Sequence, residues 1–175
     1  TATAMYGSKV DVYANAEVLP FDSSSIDAVL MFDVLEHIKD GEKALRETYR
    51  VLKPEGSVLI QVPFMYPVHD APYDYRRPTK YGIESMAERS GFTVDVCGAR
   101  GKPLETACLL TNIAMVKSVL NGMRKYAPIA VLFIPFVGVL SVLFNIVGWS
   151  ASKILSDDDL MPFSHHVILK KKEIL

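Results

Sequence analysis

The chain has 175 residues, 50% of them apolar and 22% charged, with a net charge of -1. That length fits one domain with a substantial core, and the near-neutral balance gives no reason to expect nucleic acid as a partner. Cys97 and Cys108 lack CxxC spacing and histidine neighbours, so they read as reduced core thiols of a cytoplasmic protein, not as a disulfide or a metal pair.

Thr1–Ser8 has no period, and Thr1 fits a chain that begins partway through a longer product. Val10–Tyr13 reads as a short strand and Ala14–Ser25 as a loop broken by Pro20 and serines. Ile26–Phe32 is a near-continuous apolar run, the signature of a central strand covered on both faces. Asp40 suits an N-cap for a helix through Leu52, with Leu45, Tyr49 and Leu52 at i, i+4 and i+7. Pro54 and Gly56 then turn the chain into a buried strand over Ser57–Val62. Phe64–Pro78 is a long aromatic, proline-rich loop of the kind that often covers a site. Thr79 caps a helix to Ser90, Gly91 ends it, and Phe92–Cys97 is again strand. Leu104–Lys125 is an amphipathic helix, and Phe163–Leu169 a last strand.

Tyr126–Ser152 contains no charged residue. Trp149 near its end, with Arg124, Lys125 and Lys153 flanking it, resembles the anchors of a membrane span. A single crossing would put the strands on either side of it across a bilayer from each other, and about 27 residues are too few for two spans. Pro128, Pro135, Gly138 and Gly148 favour a kinked helical hairpin that lies on or dips into a membrane face. Two readings compete with it: a helical cover over this domain or a dimer partner, and a true span.

Asn15-Ala16-Glu17-Val18-Leu19-Pro20-Phe21, Ile26-Asp27-Ala28-Val29, Val34-Leu35-Glu36-His37 and Leu52-Lys53-Pro54-Glu55-Gly56, in this order, resemble class I S-adenosylmethionine-dependent methyltransferases of the methyltransferase-11 type. The resemblance runs from about Val10 to Gly101, and Phe163–Lys171 resembles the family's final strand. It implies an α/β, Rossmann-like, mostly parallel sheet in the order 3-2-1-4-5-7-6 with strand 7 antiparallel, helices on both faces, and ligands beyond the carboxyl ends of the strands. Residues 10–13, 26–32, 57–62, 92–97 and 163–169 would be its third to seventh strands. The first two strands and the glycine-rich loop find no counterpart. The chain therefore reads as one incomplete methyltransferase domain (1–175) with an apolar helical insertion at 102–155, weak in cofactor affinity on its own. An open sheet edge would invite dimerisation, swapping or aggregation, unless the third strand pairs directly with the fourth.

The same resemblance assigns the site. Asn15, Ala16 and Glu17 form the corner that meets the adenine, with Asn15 accepting and the Ala16 backbone donating; the plainer reading makes Asn15 a turn former. Phe32 and Asp33 face the cofactor where the fourth strand ends. His37 lines the site and could take a proton from an acidic hydroxyl, or it could orient the next helix. Glu36 is expected to serve a helix N-terminus or a nearby arginine. His69, Tyr73 and Arg76, with Asp74, Tyr75 and Arg77, would grip the acceptor from the long loop, unless that loop is only solvated. No metal is expected, and His165 and His166 face opposite ways on a strand.

The implied activity is methyl transfer from S-adenosylmethionine to a small-molecule, lipid-linked or surface-glycan acceptor, in the cytoplasm or at the inner membrane face. The rival is a non-catalytic, membrane-associated module with a degenerate methyltransferase fold. A nicotinamide-dependent oxidoreductase is disfavoured, because those folds lack Leu-Pro-Phe followed by Val-Leu-Glu-His at this spacing.

Overall fold

The computed structural model describes residues 11–155 and 158–172, side chains at 125–130 excepted. β1 is Ile26–Phe32, followed by a 3-10 turn at Leu35–His37, α1 at Gly41–Val51 and β2 at Leu52–Pro63. α2 (Lys80–Arg89), β3 (Phe92–Arg100), α3 (Pro103–Leu155) and β4 (Ser164–Lys171) complete the chain order. Two compact units emerge. One takes the chain up to Pro63, Val68–Gly98 and the residues from His165; the other takes Phe64–Pro67 and Ala99–Ser164.

In the first unit the sheet order is β1-β2-β4-β3, the 4-5-7-6 half of the expected order. β1 and β2 run parallel, from Ile26 opposite Leu52 to Phe32 opposite Gln61, with a shift of register between Ile26 and Ala28. Glu55, at φ 61°, lies near the displaced pairing. Gly56 is needed there: a Cβ would stand 2.8 Å from the Lys53 carbonyl. β4 is antiparallel to its neighbours. Thr93 bonds to Lys170 while Phe163 bonds to Arg100, and Phe64 and Met65 bond to Phe163 and Pro162, each pair stepping in opposite directions.

The core is aliphatic. Val58, Ile60 and Val62 of β2, Val167 and Leu169 of β4, Leu35, Leu45, Ile83 and Ala87 are fully buried. α1 has the expected cap, with Asp40 accepting from Lys43 N–H at 3.0 Å. Of the expected stripe, Leu45 alone is a buried helix position: Tyr49 is half-buried, Leu52 begins β2, and Ala44, Thr48 and Val51 face inward beside Leu45. Its far end is closed from β4. Buried Lys171 donates from Nζ to the carbonyls of Tyr49 (2.7 Å) and Leu52 (2.6 Å). A lysine on the last carbonyls of a helix satisfies groups that have no partner within it and meets the negative end of its dipole. Burial lowers the Lys171 pKa.

Three expectations change. Residues 11–13 are exposed and carry no strand, while Val10 lies outside the described residues. A strand needs a ladder, and the outer edge of β1 pairs with none among the described residues. For the same reason β1 is not covered on both faces: Leu30 is 63% and Phe32 51% exposed. The apolar segment is not a hairpin of its own, since α3 runs as helix over 53 residues.

α3 nevertheless doubles back. Glu105 and Ser152 are 47 residues apart, roughly 70 Å along a straight helix. Yet Ser152 Oγ donates to Glu105 Oε1 at 2.7 Å, Asn112 Nδ2 to Asn145 Oδ1 at 2.8 Å, and Lys102 Nζ to the Ser152 carbonyl at 3.1 Å. These pairs centre on the stretch around Pro128, the residue best suited to kink a helix. The second unit is thus a hairpin whose arms begin near Pro103 and end near Leu155, about twice the length expected. Gly148 lets them touch, since a Cβ there would lie 2.9 Å from Cys108 Sγ.

Replacing Lys171 by Met keeps the volume and strands two buried carbonyls. Denaturant unfolding of Lys171→Met should show a loss of about 1–3 kcal/mol. An unchanged midpoint would mean that water closes α1 equally well.

Candidate functional site

The site grows from the carboxyl end of the parallel pair. β1 ends at Phe32, and Asp33 turns the chain in the left-handed region at φ 52°, its N–H held by the Gln61 carbonyl at 3.0 Å. Aspartate tolerates that conformation better than most residues. The 3-10 turn follows at once. Leu35 anchors it in the core, and Glu36 beside it is buried as well.

Glu36 is fully buried, and neither carboxylate oxygen has a hydrogen-bond partner. Burial raises its pKa above the usual carboxylate value, and nearby Asp33 pushes in the same direction. Among the described residues no arginine pairs with it and no helix N-terminus bonds to it, in place of the expected structural partner. What faces it is a pair of imidazoles: His37 Nε2 at 3.8 Å and His69 Nε2 at 3.9 Å from Oε1. The rings meet edge to face at 4.8 Å.

The long loop brings His69 there. Tyr75 N–H donates to the Glu36 carbonyl at 2.9 Å, and the Tyr73 carbonyl lies 2.9 Å from His37 Nδ1. A carbonyl only accepts, so Nδ1 carries a hydrogen, and Nε2 is the ring nitrogen turned to Glu36. Asp74 pins the loop from within: it takes a bidentate pair from Arg77 and the N–H of His69 at 2.9 Å. Hydrogen bonding to Arg77 holds the Asp74 carboxyl down to about 2.

A family model described as a methyltransferase domain matches residues 3–60. A ubiquinone/menaquinone biosynthesis C-methyltransferase UbiE from Enterobacter sp. (strain 638) is 49% identical over 49 residues, 28% of this chain and 20% of the relative. The UbiE protein of Pasteurella multocida is 44% identical over 59 residues, 34% of this chain and 22% of its own length. The match therefore spans about a fifth of these curated relatives. Among solved structures, a SAM-dependent methyltransferase from Thermotoga maritima superposes with TM-score 0.51 at 16% identity, covering 91% of this chain and 62% of that one. The [4+2]-cyclase SpnF gives 0.55 at 14%, covering 91% and 54%. A methyltransferase-domain model thus matches the first third of the chain, and the solved structures share its fold.

The residues that the sequence suggested for the site fall into three groups. Phe32, Asp33 and His37 stand together at the end of β1, with Phe32 and Asp33 exposed. His69 joins them through Glu36. The corner at Asn15–Glu17 is a turn: Asn15 Oδ1 accepts from Glu17 N–H at 2.9 Å and its carbonyl accepts from Val18. Glu17 reaches α1, accepting from Asp40 N–H at 3.1 Å. The following stretch is clamped to the same helix. Arg50 donates to the carbonyls of Leu19 and Phe21, and Glu47 accepts from Leu19 N–H at 3.0 Å.

Arg76 lies against the start of α1. Its Nη2 donates to the Lys39 carbonyl at 2.7 Å, and Nη1 occupies the space a Cβ on Gly41 would need. With Glu17 and Asp40 it lines a depression of about 420 Å³ at the start of α1. Tyr73 is exposed and contributes its carbonyl. Sequence reading missed the meeting of Glu36, His37 and His69, because a turn and a loop 32 residues apart share no period. The nearest local signal was the spacing of Asp74 and Arg77, which marks a pinned loop.

Glu47, hydrogen-bonded by Arg50, is also held down to about 2. Both carboxyls are depressed on folding, so their contribution is complete above the unfolded values of about 4 and fades as pH falls toward 2. Amide exchange at Leu19 and His69, corrected for intrinsic rates, should lose protection across that window. Protection unchanged at pH 2 would show that other contacts hold both loops.

Proposed function

We propose that the protein transfers a methyl group from S-adenosylmethionine to a small-molecule acceptor presented at a membrane surface. The end of β1 supports the first part. Exposed Phe32 gives the adenosine an apolar face, Asp33 supplies a carboxylate at the turn, and the Asn15–Ala16 corner keeps a backbone edge for the adenine. These groups suit the adenine and sulfonium ends of the cofactor.

The cofactor, when bound, supplies an electrophilic methyl on a sulfonium. The protein's part is to align an acceptor oxygen, nitrogen or carbon behind that methyl and to keep water out. With no ion held at His37, its Nε2 can take the proton of a hydroxyl acceptor, since Nδ1–H is committed to the Tyr73 carbonyl.

The single observation behind the membrane part is that the α3 hairpin is polar inside and apolar outside. Its seam holds Asn112 with Asn145, Glu105 with Ser152, and Cys108 against Gly148. Outward lie Leu132, Phe133, Phe136, Val139, Ile146 and Trp149, each more than half exposed. Water favours the reverse arrangement, whereas small and hydrogen-bonding residues at a helix seam are the rule in lipid. Val131–Leu155 is long and apolar enough to cross a membrane. The other arm exposes Lys117 and Arg124, which suits a hairpin with one arm in acyl chains and the other at anionic headgroups. The acceptor class that fits is lipid-linked, at the cytoplasmic face.

Two measurements test this. In the longest natural form of the protein, Phe32→Ala should weaken calorimetric binding of S-adenosylhomocysteine by about tenfold, the scale of roughly 1–2 kcal/mol for a lost ring contact. No binding by the parent protein would favour the non-catalytic module. Flotation with vesicles containing anionic lipid should carry the protein upward, and Leu132→Asp with Phe136→Asp should leave it behind. A parent protein that stays in the aqueous fraction without detergent would sink the lipid reading alone.

A further inference from the structure

We propose that Glu36, His37 and His69 bind one divalent transition-metal ion of the zinc, manganese or ferrous-iron class. Two neutral imidazoles and a carboxylate converging from a turn and a loop are a donor set suited to such ions, and three protein ligands leave positions open. The inference does not depend on the methyl-transfer reading, and its test uses no methyl donor.

The first argument is the state of Glu36. A fully buried carboxyl with no hydrogen bond to either oxygen is rare and needs a reason. The imidazoles do not supply it as they stand, because 3.8 and 3.9 Å are too long for hydrogen bonds. An ion between the three groups would satisfy the carboxylate and replace its proton. One ligand atom from each residue lies within 4.8 Å of the other two. Bonds of about 2.1 Å then require each group to move inward by less than about 1 Å, within the reach of side-chain torsions on a turn and a loop.

The second argument is the surroundings of the rings. A ligating histidine ordinarily donates its other N–H to a carbonyl or a carboxylate, which fixes the tautomer. His37 does so, with Nδ1 2.9 Å from the Tyr73 carbonyl. His69 Nδ1 lies 3.4 Å from Asp74 Oδ2 and 3.1 Å from Arg77 Nη2. Arg77 Nη2 only donates, so Nδ1 accepts here, and ligation at Nε2 would require the ring hydrogen to move to Nδ1 and turn to Asp74 Oδ2. Arg77 keeps its own hold on both Asp74 oxygens. Asp33, close enough to act on Glu36 through its charge, adds to the attraction for a cation. The open positions face a hydroxyl, carboxylate or water oxygen as fourth ligand.

The test is titration of metal-stripped protein with Zn²⁺ by calorimetry and with Co²⁺ by visible absorption. One equivalent should bind per chain, with cobalt bands from mixed nitrogen and oxygen ligation. His69→Ala and His37→Ala should each weaken binding at least a hundredfold, and Asp74→Asn by about tenfold to a hundredfold, as an outer partner does. His166→Ala, elsewhere on the sheet, should leave it unchanged. Glu36→Gln keeps the buried shape; if it folds by circular dichroism, it should lose the ion as well. No saturable uptake, or uptake undiminished by His69→Ala, would overturn the proposal.

Discussion

The sheet depends on a strand drawn from far along the chain: β4 enters between β2 and β3, and its Lys171 carries a buried charge onto the last carbonyls of α1. One side chain thus ties the sheet's middle to the helix that covers it. α1 is also the helix on which the Leu19–Phe21 stretch is clamped by Arg50 and Glu47 and to which Glu17 reaches. The turn at Asn15 therefore inherits its position from β4 through α1.

At the other end of β1 the argument runs through burial. Leu35 and Glu36 of the 3-10 turn are both fully buried. A carboxyl is thereby placed where water does not reach, and the loop after β2 delivers a second imidazole to it. Buried polar groups without partners cost stability, so proteins keep them where they do something. In a methyltransferase fold this place, beyond the carboxyl ends of parallel strands, is where ligands gather.

Much of this was legible in the residues. The β-branched runs at 26–32 and 57–62, the Asp40 cap, the Thr79 cap and Gly91 each act locally, and local rules report them well. The ordered motifs gave the half-sheet with β4 inserted. What escaped was non-local. Residues 11–13 have strand composition but no ladder beside them. Pro128 marked a break in the apolar segment, yet nothing in the spacing of Leu109, Ile113 or Val116 said that their helix was one arm of the same hairpin. Arg76 looked like a ligand for an anion; only the missing side chain of Gly41, 35 residues earlier, makes room for it as a strut.

The seam of that hairpin has a consequence for how the protein is handled by a cell. Hydrogen bonds such as Asn112 to Asn145 strengthen as water is withdrawn and compete poorly with it otherwise. Two solvents then judge the same element oppositely: what a bilayer rewards, the aqueous phase treats as an exposed apolar arm awaiting any other surface. On the lipid reading proposed above, bilayer area, and not synthesis alone, would set how much of the chain persists in a dispersed form, and copies made beyond that capacity would be the first to aggregate.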